Sequence, residues 1–369
     1  MRDPKANSLS QRRAQSARVL VCALATGLLA LSNLAGAVSL CASTAQEFQD
    51  DLAKASDGGM FSGDSVEINL VQGTYTVGAA TANGPFIYTS TAATGQLTLL
   101  GGWNPQCNGL VKNGAPTVLD GNGTSQVLKI NNPNASVDVE YLTIQNGETG
   151  VSGAGLSINV GGGSAGVFVA DNIIRNNHTT GTGGGLVAFA GGSNSQLDIG
   201  NNVIAGNSAD VGYGAGFVFG NSVGEAFITG NTVYANTTTA TNGTGGLLCC
   251  GTVDSNPDIF TNIFWQNTKY GLYLSGTAAD LEYNDYGAIG GAAPGASIGN
   301  ISMDPKFVDG ANDDLHLATG SPALGYGPAA TLNGYISSTD INGHAYPLTG
   351  KIDLGAYEET VFADGFDGN

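Results

Sequence analysis

Basic side chains are scarce in this sequence, with 12 Lys and Arg against 30 Asp and Glu. A chain so short of positive charge has no face to neutralise phosphates, which excludes nucleic acid as a partner. Charged residues of either sign make up only 11% of the chain, too few for a disordered one. Long apolar runs are also missing, apart from Val19 to Leu34. That run is short and rich in small residues, it follows Arg12, Arg13 and Arg18, and it ends at Ala35-Gly36-Ala37. The pattern is that of an export signal over residues 1–37, cleaved after Ala37, and not of a membrane anchor. Cys41 follows Leu40, where lipidation wants a small residue. The expected product is a secreted, periplasmic or cell-surface protein without a transmembrane segment. Without residues 1–37 the chain keeps 7 basic and 29 acidic residues, a net charge of −22, which favours solubility and a monomer.

Cysteine is sparse as well: four of the five lie beyond the signal. Export permits oxidation, and Cys41 with Cys107 is the preferred pair, because both fall in the irregular first part of the chain and would staple it. Cys249 and Cys250 are adjacent and a mutual bond is strained, so they read as strand residues, one of them buried and inert.

What the sequence has in abundance is glycine, 58 residues, together with Asn, Thr and Ser. It is too apolar for disorder and too glycine-rich for helices, which leaves many short strands joined by tight turns. Tyr141-Leu-Thr-Ile-Gln-Asn146, Asn172-Ile-Ile-Arg-Asn-Asn177, Asn202-Val-Ile-Ala-Gly-Asn207, Asn231-Thr-Val-Tyr-Ala-Asn236 and Asn262-Ile-Phe-Trp-Gln-Asn267 form a repeat whose final asparagines are 31, 30, 29 and 31 residues apart. A second marker keeps the same step: Gly-Ala-Gly-Leu156, Gly-Gly-Gly-Leu186, Gly-Ala-Gly-Phe217, Thr-Gly-Gly-Leu247 and Lys-Tyr-Gly-Leu272.

Each repeat holds two or three short Val, Ile, Leu and Phe runs with no room for a helix, and it cannot bury a core alone. Stacking solves this, with equivalent strands pairing in parallel about 4.8 Å apart and apolar side chains forming inner columns. The expected fold is all-β, a single-stranded right-handed parallel β-helix. Asn146, Asn177, Asn207, Asn236 and Asn267 then form a structural ladder, since asparagine suits turn geometry and its amide can bond the next coil. Thr44, Gln46 and Glu47 suggest a capping box before the apolar stripe Ala45, Phe48, Leu52 and Ala55, giving a short α-helix in an N-terminal cap over residues 38–64. Coils follow over 65–300, further coils and a C-terminal cap over 301–360, and a tail over 361–369.

The order of cap helix, Gln72-Gly-Thr-Tyr75, Leu99-Leu-Gly-Gly-Trp103, Val118-Leu-Asp-Gly121 and Leu142-Thr-Ile-Gln-Asn-Gly147 resembles the pectin-lyase-like β-helix proteins of bacteria. Asp304-Pro-Lys-Phe-Val-Asp309, Asp314-Leu-His-Leu317, Ser321-Pro-Ala-Leu324 and Ile352-Asp-Leu-Gly-Ala-Tyr-Glu358 resemble a choice-of-anchor Q segment. The chain departs from that pattern at Gly325, where an Asp is usual, and at Tyr346, where an Arg is frequent. Members of the larger group include polysaccharide lyases and glycoside hydrolases.

A lyase of that kind needs a basic residue for the α-proton, and beyond the signal the chain has one arginine, Arg175, and six scattered lysines. A glycosidase needs convergent carboxylates, and Asp171 and Asp198 fall in different repeat columns. His178, His316 and His344 are too dispersed to suggest a metal site. Asp309, Asn312, Asp313 and Asp314 offer oxygens to Ca²⁺ without the alternating spacing of a dedicated loop. The third repeat position reads Ile144, Arg175, Ala205, Tyr234, Trp265 and should point outward, so Arg175, Tyr234 and Trp265 are the candidate glycan-binding residues. Leu156, Leu186, Phe217, Leu247 and Leu272 should point inward, leaving Val187, Val218, Leu248 and Tyr273 as an outer apolar strip. The balance favours a non-catalytic surface for a polysaccharide or cell-surface glycan, or for adhesion, over a lyase or hydrolase.

Overall fold

A computed structural model describes residues 37–78, 84–112, 114–131, 134–329, 338–347 and 349–359. The expected export signal, apart from Ala37, and the expected tail lie outside the described residues. Among those described, no helix is long and apolar enough to cross a membrane.

The chain is an all-β parallel β-helix. Successive coils contribute one strand each to three long parallel sheets. The first has ten strands, from Val38–Ala42 to Ser297–Ile298; the second and third have eight each, from Gly73–Thr76 to Asp285–Tyr286 and from Phe86–Thr89 to Ile289–Gly291. A fourth, short ladder joins Glu148–Thr149, His178–Thr179, Ser208–Ala209 and Thr237–Thr238. Alternation along each strand sends one side inward. Ile174, Ile204, Val233 and Phe264 stand in direct register on four adjacent coils and are fully buried. Each such side chain contributes about 1.5–3 kcal/mol on leaving water, which is how coils with no core of their own hold together.

Two asparagine ladders fix the corners. In one, Asn177 Nδ2 donates to Asn207 Oδ1 at 2.9 Å, Asn207 to Asn236 at 3.0 Å and Asn236 to Asn267 at 2.9 Å. Asn146 is not a rung. Arg175 pairs with Gln145, so Gly147 holds the ladder position and its N–H donates to Asn177 Oδ1, while Asn146 sits one residue earlier at φ 55° and bonds Asp120. The second ladder runs Asn172, Asn202, Asn231, Asn262, Asn284 and Asn300. Its first four members, Asn172, Asn202, Asn231 and Asn262, begin sequence repeats in which only the final asparagine is expected as a rung, and Asn284 and Asn300 continue it beyond them.

The helix spans Ala45–Ala55, with Thr44 as N-cap accepting from Glu47 N, while Glu47 Oε2 accepts from Ser43 N at 2.8 Å. Phe48, Leu52 and Ala55 are buried, and Phe48 packs on Phe86 with ring centroids 4.8 Å apart. The stack begins before this helix, because Val38–Ala42 already pairs with Val66–Val71. Cys41 and Cys107 are disulfide-bonded, with Cα atoms 6.0 Å apart.

The described part of 301–360 runs along the outside of the second sheet. Phe307–Asp309 pairs antiparallel with Asp314–Leu317, and Gly327–Pro328 with Lys351–Ile352. Tyr346 OH donates to Asn201 Oδ1 at 3.0 Å, Ala356 N to Thr232 Oγ1 at 3.0 Å, and Gly355 N to Thr261 O at 2.8 Å. Gly355, at φ 90°, lets this backbone come so close that a β-carbon would meet Thr232 Oγ1 at 2.5 Å. The segment docks here because the outward positions Val203, Ala205 and Ile263 are apolar and need cover. At Gly325 and Tyr346 the segment is held by hydrogen bonds: Gly325 N donates to Asp353 Oδ1, and Tyr346 OH to Asn201 Oδ1.

Candidate functional site

The outward column on the second sheet is Gln145, Arg175, Ala205, Tyr234 and Trp265. Ile144 does not belong to it; it is fully buried in register with Ile174, because the repeat in that coil begins one residue later than the asparagine pattern suggests. The three candidate residues of this column meet different surroundings. Arg175 Nε donates to Gln145 Oε1 at 3.1 Å, and its guanidinium lies 3.7 Å from Asp313, so it ties the sheet to the C-terminal segment. Tyr234 is only 8% exposed, with Phe307 edge-on against it and its hydroxyl donating to Gln266 Oε1 at 2.9 Å. The expected platform of two exposed stacked rings is therefore not formed, since docking of the C-terminal segment buries one of them.

Trp265 is half-buried and forms the wall of a surface hollow of about 450 Å³. Gly271, Gly287 and Ala288 line it too, and the six-membered part of the indole lies over Gly287. Gln266, Asn267, Lys269 and Asp304 supply polar groups. Lys269 Nζ is held by the carbonyls of Ala240 and Thr241, and Asp304 accepts from Lys306 N. An aromatic wall with a few fixed polar groups around it is the make-up of a small-ligand site, and a flat indole is suited to the apolar face of a sugar ring.

The buried carboxyls lie elsewhere. Asp138 and Glu140 stand two residues apart on one strand, and burial pushes both up from the ordinary carboxyl range. Asp198 stands between Phe168 and Phe227 on adjacent strands; burial pushes it up to about 8, although Gln196 donates to it. Asp171 accepts from Asn201 Nδ2 at 3.2 Å. No group of three or more His, Cys, Asp and Glu side chains placed to hold a metal occurs among the described residues. His316 stacks on Tyr357 with centroids 4.2 Å apart and bonds Asp314, His344 bonds Asp340, and His178 bonds Ser208. In the acidic turn, Asp309 accepts from Asn312 and Asp313 faces Arg175.

On the third sheet the outward column is Ser157, Val187, Phe217, Leu248 and Tyr273. Phe217 points out and Val218 in, the reverse of expectation, because Gly216 pairs with Leu186 and Leu247. A β-carbon at Gly216 would meet Leu186 O at 1.9 Å, so glycine takes the place of leucine there. Further along these strands Phe189 and Phe219 stack, 6.4 Å apart and 12° from parallel. Cys249 and Cys250 are both buried, not one of them, and are bonded to each other across a cis peptide. No family model matches this chain, and no curated protein or solved structure matches it either.

Proposed function

We propose that this protein is an exported, non-catalytic β-helix that binds glycans, with the hollow beside Trp265 as a sugar subsite. The observation that carries the reading is the half-buried indole over Gly287, facing a hollow bordered by Gln266, Asn267, Lys269 and Asp304. The signal-like leader and the resemblance to pectin-lyase-like proteins with a choice-of-anchor Q segment support an extracytoplasmic polysaccharide setting. Against a glycoside hydrolase, the hollow is lined by a single carboxylate, Asp304. Against a lyase, Arg175 and Lys112 are engaged in structural bonds.

The test is affinity electrophoresis and calorimetry with a panel of neutral and acidic polysaccharides, comparing wild type with W265A and W265F. Binding by wild type, at least tenfold weaker in W265A and partly kept in W265F, supports the assignment. New reducing ends or unsaturated products overturn the non-catalytic reading, and unchanged affinity in W265A removes Trp265 from the site.

A further inference from the structure

We infer that Glu148, His178 and Ser208 form a serine-esterase centre on the fourth, short ladder, acting on small uncharged acyl esters of acetyl size. The centre is independent of the Trp265 hollow. It breaks no glycosidic bond, so a bound glycan backbone stays uncut as in the reading above. The three residues stand in register on consecutive coils, with Thr237 next in the column. Thr179, Ala209 and Thr238, one residue further along their strands, are buried, so alternation turns this column outward. His178 Nδ1 lies 2.8 Å from Ser208 Oγ, and its Nε2 lies 3.8 Å from Glu148 Oε1. The side chains of His178 and Glu148 are 35% and 43% exposed, within reach of a solute. A carboxylate beside Nε2 keeps the proton on that nitrogen, which leaves Nδ1 to accept from the serine hydroxyl. This is the order of a nucleophile, its base and the group that orients the base. The outer contact is at ion-pair range and strengthens once the imidazole is charged.

The backbone holds the arrangement in place. His178 and Ser208 each follow a buried rung of the first asparagine ladder, Asn177 and Asn207. His178 N donates to Gly147 O at 2.8 Å, Ser208 N to Asn177 O at 2.9 Å and Thr237 N to Asn207 O at 2.8 Å. A site on such a scaffold needs little reorganisation to react. In the reaction Ser208 Oγ bonds to the ester carbonyl carbon while His178 Nδ1 takes its proton and Glu148 stabilises the imidazolium. The Thr237 hydroxyl, about one strand spacing beyond Ser208, offers a donor to the carbonyl oxygen. The carbon–alkoxy bond then breaks, and the imidazolium proton goes to the leaving alcohol. Water, deprotonated in turn by His178, attacks the acyl-serine and releases the carboxylic acid, so ester and water become alcohol and acid. Two residues along the same coils, Thr180, Asp210 and Thr239 are exposed and polar, which suits a short acyl group better than a long apolar one. Asp210, Glu148 and the acidic excess of the chain repel an anionic ester.

The experiment assays the purified protein on p-nitrophenyl acetate and p-nitrophenyl decanoate, and labels it with a fluorophosphonate whose adduct is located by mass spectrometry. The variants are S208A, H178A, E148Q and E148D. Support is an adduct on Ser208, together with acetate hydrolysis that falls roughly 100-fold in S208A and H178A at an unchanged melting point. Glu148 is a positioning residue, so E148Q is expected to lower kcat about tenfold with KM unchanged, and E148D to restore part of it. The wild-type adduct decides the matter even where a variant fails to fold. No adduct on Ser208 overturns the inference, as does hydrolysis by S208A at the wild-type rate, which would be the work of an exposed imidazole alone. E148Q at wild-type kcat, or faster turnover of the decanoate than of the acetate, overturns it too.

Discussion

Phe307 lies edge-on against Tyr234, their ring centroids 5.2 Å apart and their planes at 82°. Tyr234 and Trp265, which share one outward column, both pack against the C-terminal segment, but to different degrees: Tyr234 is almost fully covered, while Trp265 one coil on also keeps a hollow beside it. Y234A is therefore expected to cost about 2–4 kcal/mol of stability and to leave sugar affinity at the Trp265 hollow within threefold. Denaturant unfolding and calorimetry on the same preparations check both halves.

The asparagine ladder predicts an asymmetry between residues that look equivalent in sequence. Asn207 is fully buried, donates to Asn236 Oδ1 and Ile174 O, and accepts from Asn177. N207L strands these groups and is expected to destabilise the fold by about 2–4 kcal/mol. Asn146 bonds only at the margin, to Asp120, from a left-handed backbone that glycine also adopts. N146G is expected to change stability by less than about 1 kcal/mol. Chemical denaturation midpoints at constant slope test the pair.

Stability is expected to fall as pH rises from about 4 to 8. Burial raises Asp285 to about 6 and Asp198 and Glu358 to about 8, and it raises Asp138 and Glu140 as well. Across that interval the folded chain holds more protons than the unfolded one, so the stabilising protonated forms are complete below the unfolded values and are lost through the folded ones. Urea midpoints measured at pH 5, 6.5 and 8 should decline in that order. D198N should shallow the decline, and a midpoint that rises with pH would contradict the assignment.

The Cys41–Cys107 disulfide closes a separation of 66 residues at the first coils. C41S/C107S is expected to lower stability by about 2–4 kcal/mol, measured by thermal or urea unfolding against the oxidised wild type.

The parallel stack was legible because two markers kept one step of about thirty residues and because an aliphatic or aromatic residue recurs at the same repeat position, Ile174, Ile204, Val233 and Phe264. Errors arose where one residue shifts the phase. Asn146 precedes Gly147 in the ladder position, and Phe217 follows Gly216 in the leucine position, since glycine replaced the diagnostic side chain in both coils. The second ladder carried a signal that was available, an asparagine opening each repeat at 172, 202, 231 and 262. The burial of Tyr234 had no local signal, because it depends on where a segment more than seventy residues away docks. The Trp265 hollow depends on that same docking, since Asp304 comes from the returning segment.

The most direct test of glycan binding at Trp265 uses the indole as its own reporter. The chain has two tryptophans, so W103F leaves Trp265 alone to be excited. Titrating this variant with short neutral oligosaccharides is predicted to shift its emission to the blue and to saturate, with a midpoint matching the calorimetric affinity. Calorimetric binding with no change in Trp265 emission would contradict the account.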